Sequence, residues 1–256
     1  MLIEEQIRKK VVSFGNGSIV YTPKSWIGKE VIITLPKESL KEEIFKVLEL
    51  FLEGIQGIYL YGSHARNEEE CDSDIDILVV SDKKFRIRKG KYDINIITLE
   101  DIKKAIKYNP LYSLIVKEAK VILNKVLLDE IKKVRFNKKS LKWILETTKS
   151  ALNVNEELIK AESDDFKNYS CIFSLMLRLR TIYMTDCVLK NKHYSNKRFK
   201  EFVKGHGVIN FHTLYQIYRA VRDNKQIKRV KVYKKNVVKL WSLVRNETKK
   251  KSEEIS

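Results

Sequence analysis

Gly62-Ser63 and the pair Asp74 and Asp76 are the residues of this 256-residue chain whose types and spacing could do chemistry. The run Ile75-Asp-Ile-Leu-Val-Val80 is apolar and β-branched, so it reads as a buried strand. Alternation along a strand sends Asp74 and Asp76 to the same side. Two carboxylates held together there repel each other and lose hydration, which is costly without a cation between them. Oxygen-only ligation suits Mg²⁺, which takes one or two carboxylates, substrate phosphates and water. Upstream, Ile55–Tyr61 reads as a strand that ends at Gly62-Ser63, and His64-Ala-Arg66 can open a short helix. Such a turn aims backbone N–H groups and Ser63 Oγ at an anion, and Gly62 permits close backbone approach. A lone Gly-Ser is an ordinary turn, and a lone Asp-x-Asp is an ordinary solvated strand edge. The specific signal is the joint order of strand, Gly-Ser, ten residues, Asp-Ile-Asp and strand.

Read together, Gly62, Ser63, Ala65 and Arg66 followed by Ser73, Asp74, Ile75 and Asp76 resemble the signature of the DNA polymerase β-type nucleotidyltransferase superfamily, in its minimal form. Asn67 stands where these proteins usually have Gly, and Asn tolerates a left-handed backbone better than most residues. Glu69 stands where a small residue is common. The resemblance implies that Asp74 and Asp76 bridge two Mg²⁺ ions, or Mn²⁺ in their place. It implies that Gly62 and Ser63 bind the β- and γ-phosphates of an NTP, ATP first among them. Arg66 either helps there or locks the loop. A third acid on a neighbouring strand is also implied. Asp93 is the best candidate, because in Tyr92–Ile97 it shares one face with Asn95 while Ile94 and Ile96 share the other. Asp82 sits in a charged turn, and Glu100 and Asp101 read as first-turn helix acids after Thr98. By the same resemblance, Asp93 would help to deprotonate the attacking hydroxyl.

Three sections position these residues. Residues 1–36 form an N-terminal β segment. Val11–Phe14 and Ser18–Thr22 flank Gly15-Asn-Gly17, a hairpin signal, and Glu30–Leu35 reads as a further strand. This segment resembles the AbrB-type swapped hairpin, which implies a homodimer and sometimes DNA binding. Residues 37–125 form an α/β (α+β) catalytic domain, a mixed sheet flanked by helices. Ser39-Leu-Lys-Glu42 predicts a capping box, and Leu40, Ile44, Val47, Leu48 and Phe51 predict one apolar helical face ending at Gly54. Strands are predicted at 55–61, 74–80 and 92–98, helices from Thr98 to before Pro110 and over 111–119, and a short last strand within 118–124. Residues 126–256 form a helical bundle with helices over 139–162, 165–190, 208–224 and 233–250. Within it Tyr218, Arg219 and Arg222 are candidate contacts for an acceptor or a phosphate, since the two arginines share a helix face.

Charge is asymmetric. Residues 138–256 hold 27 Lys and Arg against 12 Asp and Glu, a net +15, while the first 137 hold 24 against 21, a net +3. A basic half beside a nearly neutral one points to a polyanionic partner such as RNA. RNA, a tRNA-like 3′ end for instance, is therefore the first acceptor expected. A protein hydroxyl, as in antitoxin-like relatives, is the second. A reading from another class is a dimeric DNA-binding regulator with an idle transferase domain. A small-molecule acceptor, as in antibiotic-modifying relatives, leaves the basic half unexplained. Cys71, Cys171 and Cys187 lack zinc spacing with the four histidines and read as reduced thiols. No apolar run reaches membrane-spanning length, and the N-terminus has no signal-peptide core, so the expected location is cytoplasmic.

Overall fold

The computed structural model describes residues 5–34, 38–69, 71, 73–83, 85–87, 90–227 and 230–254. It divides into two compact units, Met1–Glu43 and Ile44–Ser256.

In the first unit β1 (Val12–Phe14) and β2 (Gly17–Ile19) pair antiparallel, with Phe14 opposite Gly17. Gly15 takes φ +55° at the tip, the sign that a two-residue hairpin turn requires. A 3-10 turn follows at Lys24–Trp26, and Trp26 Nε1 donates to Glu5 at 2.9 Å. The strand expected over 30–35 does not form in residues 30–34, and Leu35 lies outside the described residues. Val31, Ile32 and Ile33 are exposed there. A β-branched run becomes a strand only when another edge takes its N–H and C=O groups, and no described strand does so.

Helix α1 (Leu40–Leu48) opens with the expected capping box. Ser39 N–H donates to Glu42 Oε2 at 2.8 Å, and Glu42 N–H donates to Ser39 Oγ at 3.3 Å. The helix stops at Leu48 and tightens into a 3-10 segment, Glu49–Gly54. Gly54 then brings the backbone against the Ser81–Asp82 corner, where a Cβ would meet Asp82 Oδ1 at 2.7 Å.

The sheet of the second unit contains β3 (Ile55–Tyr61), β4 (Ile75–Ser81), β5 (Tyr92–Ile97) and β6 (Lys120–Leu123), in the order β5-β4-β3-β6. It is mixed, with β4 and β5 parallel and the other pairs antiparallel. The five-residue helix α2 (Gly62–Arg66) follows β3. Helix α3 (Leu99–Tyr108) is capped by Thr98 and α4 (Pro110–Glu118) by Asn109, with Pro110 at the first helical position, where its missing N–H is harmless. Helix α5 (Lys125–Ile131), which periodicity did not predict, adds Leu127, Leu128 and Ile131 to the core. One face of the sheet, Tyr59, Leu78 and Val80, packs with Ile102 and Ile106 of α3 and with Ile115 of α4.

The helical part comprises α6 (Lys138–Ala161), α7 (Tyr169–Leu189), α8 (Asn196–Gly205), α9 (Phe211–Arg222) and α10 (Lys234–Glu253). Its core gathers Ile172, Leu175, Met176, Leu179 and Ile182 of α7 with Leu214 and Ile217 of α9 and Val237 and Leu240 of α10. Helix α7 starts later than its apolar stripe predicts. Asn168 caps it by accepting from Cys171 N–H, while Phe166 N–H pairs with Val232 O at 2.8 Å. The three cysteines are free, two of them buried. Among the described residues no helix is long and apolar enough to cross a membrane.

Candidate active site

Register brings the acids together. In the parallel pair β4 and β5, Asp76 stands beside Asp93. In the antiparallel pair β3 and β4, Asp76 stands beside Tyr61. Paired residues share a face and neighbouring strands lie about 4.8 Å apart, so Tyr61, Asp76 and Asp93 form one row across the sheet. The row lies on the same face as Tyr59, Leu78 and Val80 but at the end of the sheet, where the apolar core stops. The two strands therefore do not each carry a wholly polar face. Their shared face changes from apolar to acidic along its length.

Asp74 precedes β4, outside the ladder and exposed; Asp93 is exposed, and Asp76 is half-buried. Burial first, then the charges of Asp93, Asp74 and Glu118, push the Asp76 carboxyl up to about 6, although Arg66 acts the other way. Burial, with Asp76 and Asp93 close by, raises the Tyr61 hydroxyl as well. Among the described residues no group of three or more Asp, Glu, His or Cys side chains is arranged as a ready metal cage. The donor set nevertheless fits Mg²⁺. It consists of oxygens only, and burial together with neighbouring acids disfavours the charged form of the Asp76 carboxyl, so a cation would relieve it.

Gly62 lies against this row. Its φ is +74°, and a Cβ there would stand 1.9 Å from Asp76 Oδ2, so both the turn and the close packing require glycine. Asn67 ends α2 in the left-handed conformation expected of it, φ 56° and ψ 43°. On the other side of Gly62 is a group of residues that motif spacing did not reveal. Glu118, the last residue of α4, accepts from Gly62 N–H at 2.9 Å and from Arg66 Nη1 at 2.7 Å. Arg66 Nε donates to Glu68 at 3.0 Å, and Ser195 Oγ donates to Glu68 at 2.6 Å. The Arg66 guanidinium also lies 5.8 Å from the centre of the Tyr194 ring. Burial raises Glu118 against the pull of Arg66 and the Gly62 N–H, whereas Ser195 and Arg66 hold Glu68 low despite its burial. Arg66 is thus committed to fixing the loop. A cleft of about 630 Å³ opens here, bordered by Arg66, Glu68, Lys117, Glu118, Ser195 and Arg198.

The acceptor candidates on α9 behave differently. Tyr218 is 2 % exposed, a core residue whose hydroxyl accepts from Arg180 Nη1 at 2.6 Å and whose ring stacks on Phe173. Arg222 is tied to its neighbour Asp223 at 2.7 Å, and Arg219 is exposed. The α9 residues therefore do not make a shared phosphate face. Helix α9 turns its aromatic side inward, because Leu214, Ile217 and Tyr218 supply its core contact. A second cavity, of about 190 Å³, lies within the helical part beside Lys251. That lysine is held by Asp186 and Glu254 and is a structural ion pair.

Residues 41–150 match the nucleotidyltransferase domain family, a stretch from α1 to the middle of α6 that contains the acid row and the Gly62 turn. The match starts after the N-terminal hairpin, so the AbrB-like reading lies outside it. No curated protein sequence matches the chain significantly. Among solved structures, a spectinomycin adenyltransferase from Enterococcus faecialis, determined with ATP and spectinomycin, is similar at 15 % identity, over 81 % of this chain and 97 % of that one, with a TM-score of 0.41. A toxin-antitoxin determined with AMP-PNP is similar at 15 % identity over 46 % of this chain and 98 % of that one, with a TM-score of 0.28. The stretch that matches a nucleotidyltransferase domain is thus the one that carries the acid row and the Gly62 turn, and the match supports a transferase.

Proposed function

We propose that the protein moves a nucleoside monophosphate from an NTP, ATP first among them, to a hydroxyl of RNA. In this reading residues 37–125 carry out the chemistry and residues 126–256 hold the acceptor. The supporting observation is Asp76, a half-buried carboxyl set beside Asp93 and pressed against the Gly62 backbone, pushed up to about 6 by burial and by the acids around it. Strained acids at the end of a strand–glycine–helix turn are what a site for polyphosphate and cation requires.

The Gly62-Ser63 turn binds and orients the phosphates. Asp93, the exposed acid of the row, accepts the proton of the attacking hydroxyl. The hydroxyl oxygen bonds to the α-phosphorus as the bond from that phosphorus to its bridging oxygen breaks, and pyrophosphate leaves with that electron pair. Glu118 and Arg66 keep the turn in place while this occurs. Asp74, Asp76 and Asp93 would hold Mg²⁺ together with phosphate oxygens and water, and the bound ion supplies charge neutralisation for the carboxylates and the departing pyrophosphate.

The test offers each labelled NTP with Mg²⁺ to the protein, with RNA, cell protein and small hydroxylated metabolites in separate reactions. An Asp74→Ala/Asp76→Ala control runs beside them. Label entering RNA, and absent from the control, is the expected result. Label entering protein alone would move the acceptor to a polypeptide hydroxyl. Absence of label from every fraction would overturn the transferase chemistry proposed for these residues.

A further inference from the structure

From the end of α5 into the first turns of α6 the chain reads Lys132-Lys-Val-Arg-Phe-Asn-Lys-Lys-Ser-Leu-Lys-Trp143, with six cations and no acid. Lys132, Lys133, Arg135, Lys138, Lys139 and Lys142 are all exposed. Among the described residues none of the six makes an ion pair. Elsewhere Lys160 meets Glu156 and Glu157, Lys190 meets Asp186, and Lys249 meets Glu253, each within one helical turn. The first turn of α6 moreover carries Lys138 and Lys139 with no acid, so two cations sit at the positive end of the helix dipole.

Aromatic rings stand exposed at the same corner. Trp143 is 63 % exposed and Tyr108, at the end of α3, is 60 % exposed. The backbone binds the two places together, since Asn137 N–H and Ser140 Oγ both donate to Lys107 O, at 2.9 and 3.2 Å. Asn137 also caps α6, so the cations are mounted on a fixed turn. Helix α3 brings this corner back toward the acidic end of the sheet. Tyr112, in the first turn of α4 just past the end of α3, accepts a hydrogen bond from Asn95, two residues past Asp93.

We propose that this corner is the docking surface for single-stranded nucleic acid, with the phosphodiester chain on the six cations and unpaired bases stacked on Trp143 and Tyr108. The inference deepens the reading of RNA as acceptor and rests on it for the identity of the strand. Charge alone would suit a duplex equally. Flat rings left in water favour bases whose faces are open.

The test is fluorescence anisotropy of a labelled single-stranded RNA, about 20 nucleotides long, titrated with the full chain over a salt series. Lys133→Ala/Arg135→Ala/Lys138→Ala/Lys139→Ala is expected to lose most of the affinity and to flatten the salt slope by about 3, roughly 0.7 for each phosphate contact removed. Trp143→Ala is expected to weaken binding about tenfold with the slope unchanged, and to leave a duplex of equal length unaffected. All these positions are exposed, and thermal melts check that the variants fold. An unchanged affinity and slope in the quadruple variant overturns the proposal. So does binding of polyglutamate in place of RNA that the quadruple variant abolishes, which would make the surface one for protein. Transfer is read separately. RNA bound through this corner but never labelled from NTP leaves the surface standing and removes RNA as acceptor. RNA labelled equally by wild type and quadruple variant keeps the acceptor and overturns the surface.

Discussion

Gly62 separates two clusters of acids, and the clusters differ in one respect. On one side Glu118 and Glu68 grip Arg66, with Ser195 and the Gly62 N–H completing the bonds. On the other side Asp76 faces Asp93 and Asp74, with Arg66 opposing their charge only from a distance. The first cluster carries its own cation and ties α2, α4 and the start of α8 together. The second gathers acids, with Arg66 as the cation that acts against their charge. A cluster that satisfies itself holds a fold, whereas a cluster that does not is where a ligand's charge belongs.

The comparison breaks first at Asp76. Asp76→Asn should lower transfer roughly 10³-fold or more, the scale seen when a group acting directly on the reaction is lost. Its stability should nonetheless be equal to wild type or higher, because a charge is removed from among like charges. Linkage gives the sign with pH. The folded carboxyl titrates at about 6, above its unfolded value, so the native state binds the extra proton between about pH 4 and 6. Wild-type stability should therefore fall as pH rises through that window and level off above it. Asp76→Asn should lose that slope, and Mg²⁺ should raise the wild-type melting temperature more above the window than below it. A variant that is both inactive and strongly destabilised would make Asp76 a structural residue like Glu118.

Glu118→Gln is the counterpart. It keeps an oxygen for Gly62 but takes the charge from a guanidinium whose side chain is only 15 % exposed. Loss of one member of a buried pair costs about 3 kcal/mol, so urea unfolding should show a clear drop in midpoint. Unchanged stability would mean that Glu68 alone satisfies Arg66, and the contrast between the clusters would weaken.

Gly62→Ala sharpens the boundary between the two. A side chain at φ +74° is strained, and its Cβ collides with the Asp76 carboxylate. The expected cost is about 2 to 3 kcal/mol from backbone strain and overpacking together. In an Asp76→Ala background the collision goes and the strain stays, so the two changes should couple by about 1 kcal/mol in a double-mutant cycle. Strict additivity would show that Gly62 is needed only for its backbone angle.

The acid row was legible in the sequence because its determinants are local. Two-residue alternation fixed the faces of Asp76 and Asp93, and the parallel register joined them. The same holds for the capping box at Ser39 and for the left-handed Asn67. The balanced cluster was not legible. Arg66 lies 52 residues from Glu118, and Glu68 lies 127 from Ser195, and no spacing rule links them. Helix α8 is faint in the sequence because only Phe199 and Val203 among its ten residues are buried, and lysine and arginine fill much of the rest. Tyr218 is illegible for the complementary reason. An arginine-flanked tyrosine looks the same in sequence whether its ring faces water or, as here, the core.

The smallest expected effect tests whether the balanced cluster extends past its carboxylates. Ser195 does two things at once. Its Oγ accepts from Arg198 N–H at 3.3 Å to cap α8, and it donates to Glu68 at 2.6 Å. Ser195→Ala removes both, at a cost of about 1 to 2 kcal/mol. Ser195→Asp keeps the cap but sets a second carboxylate against Glu68, so it isolates the bond to the loop. If Ser195 only caps the helix, Ser195→Asp should restore the melting temperature fully. If it holds Glu68, and through it Arg66 and the Gly62 turn, Ser195→Asp should stay at or below Ser195→Ala in stability. It should also raise the KM for NTP more than it lowers kcat, because the strained acids on the far side of Gly62 are untouched while the turn that receives the phosphates has lost its brace.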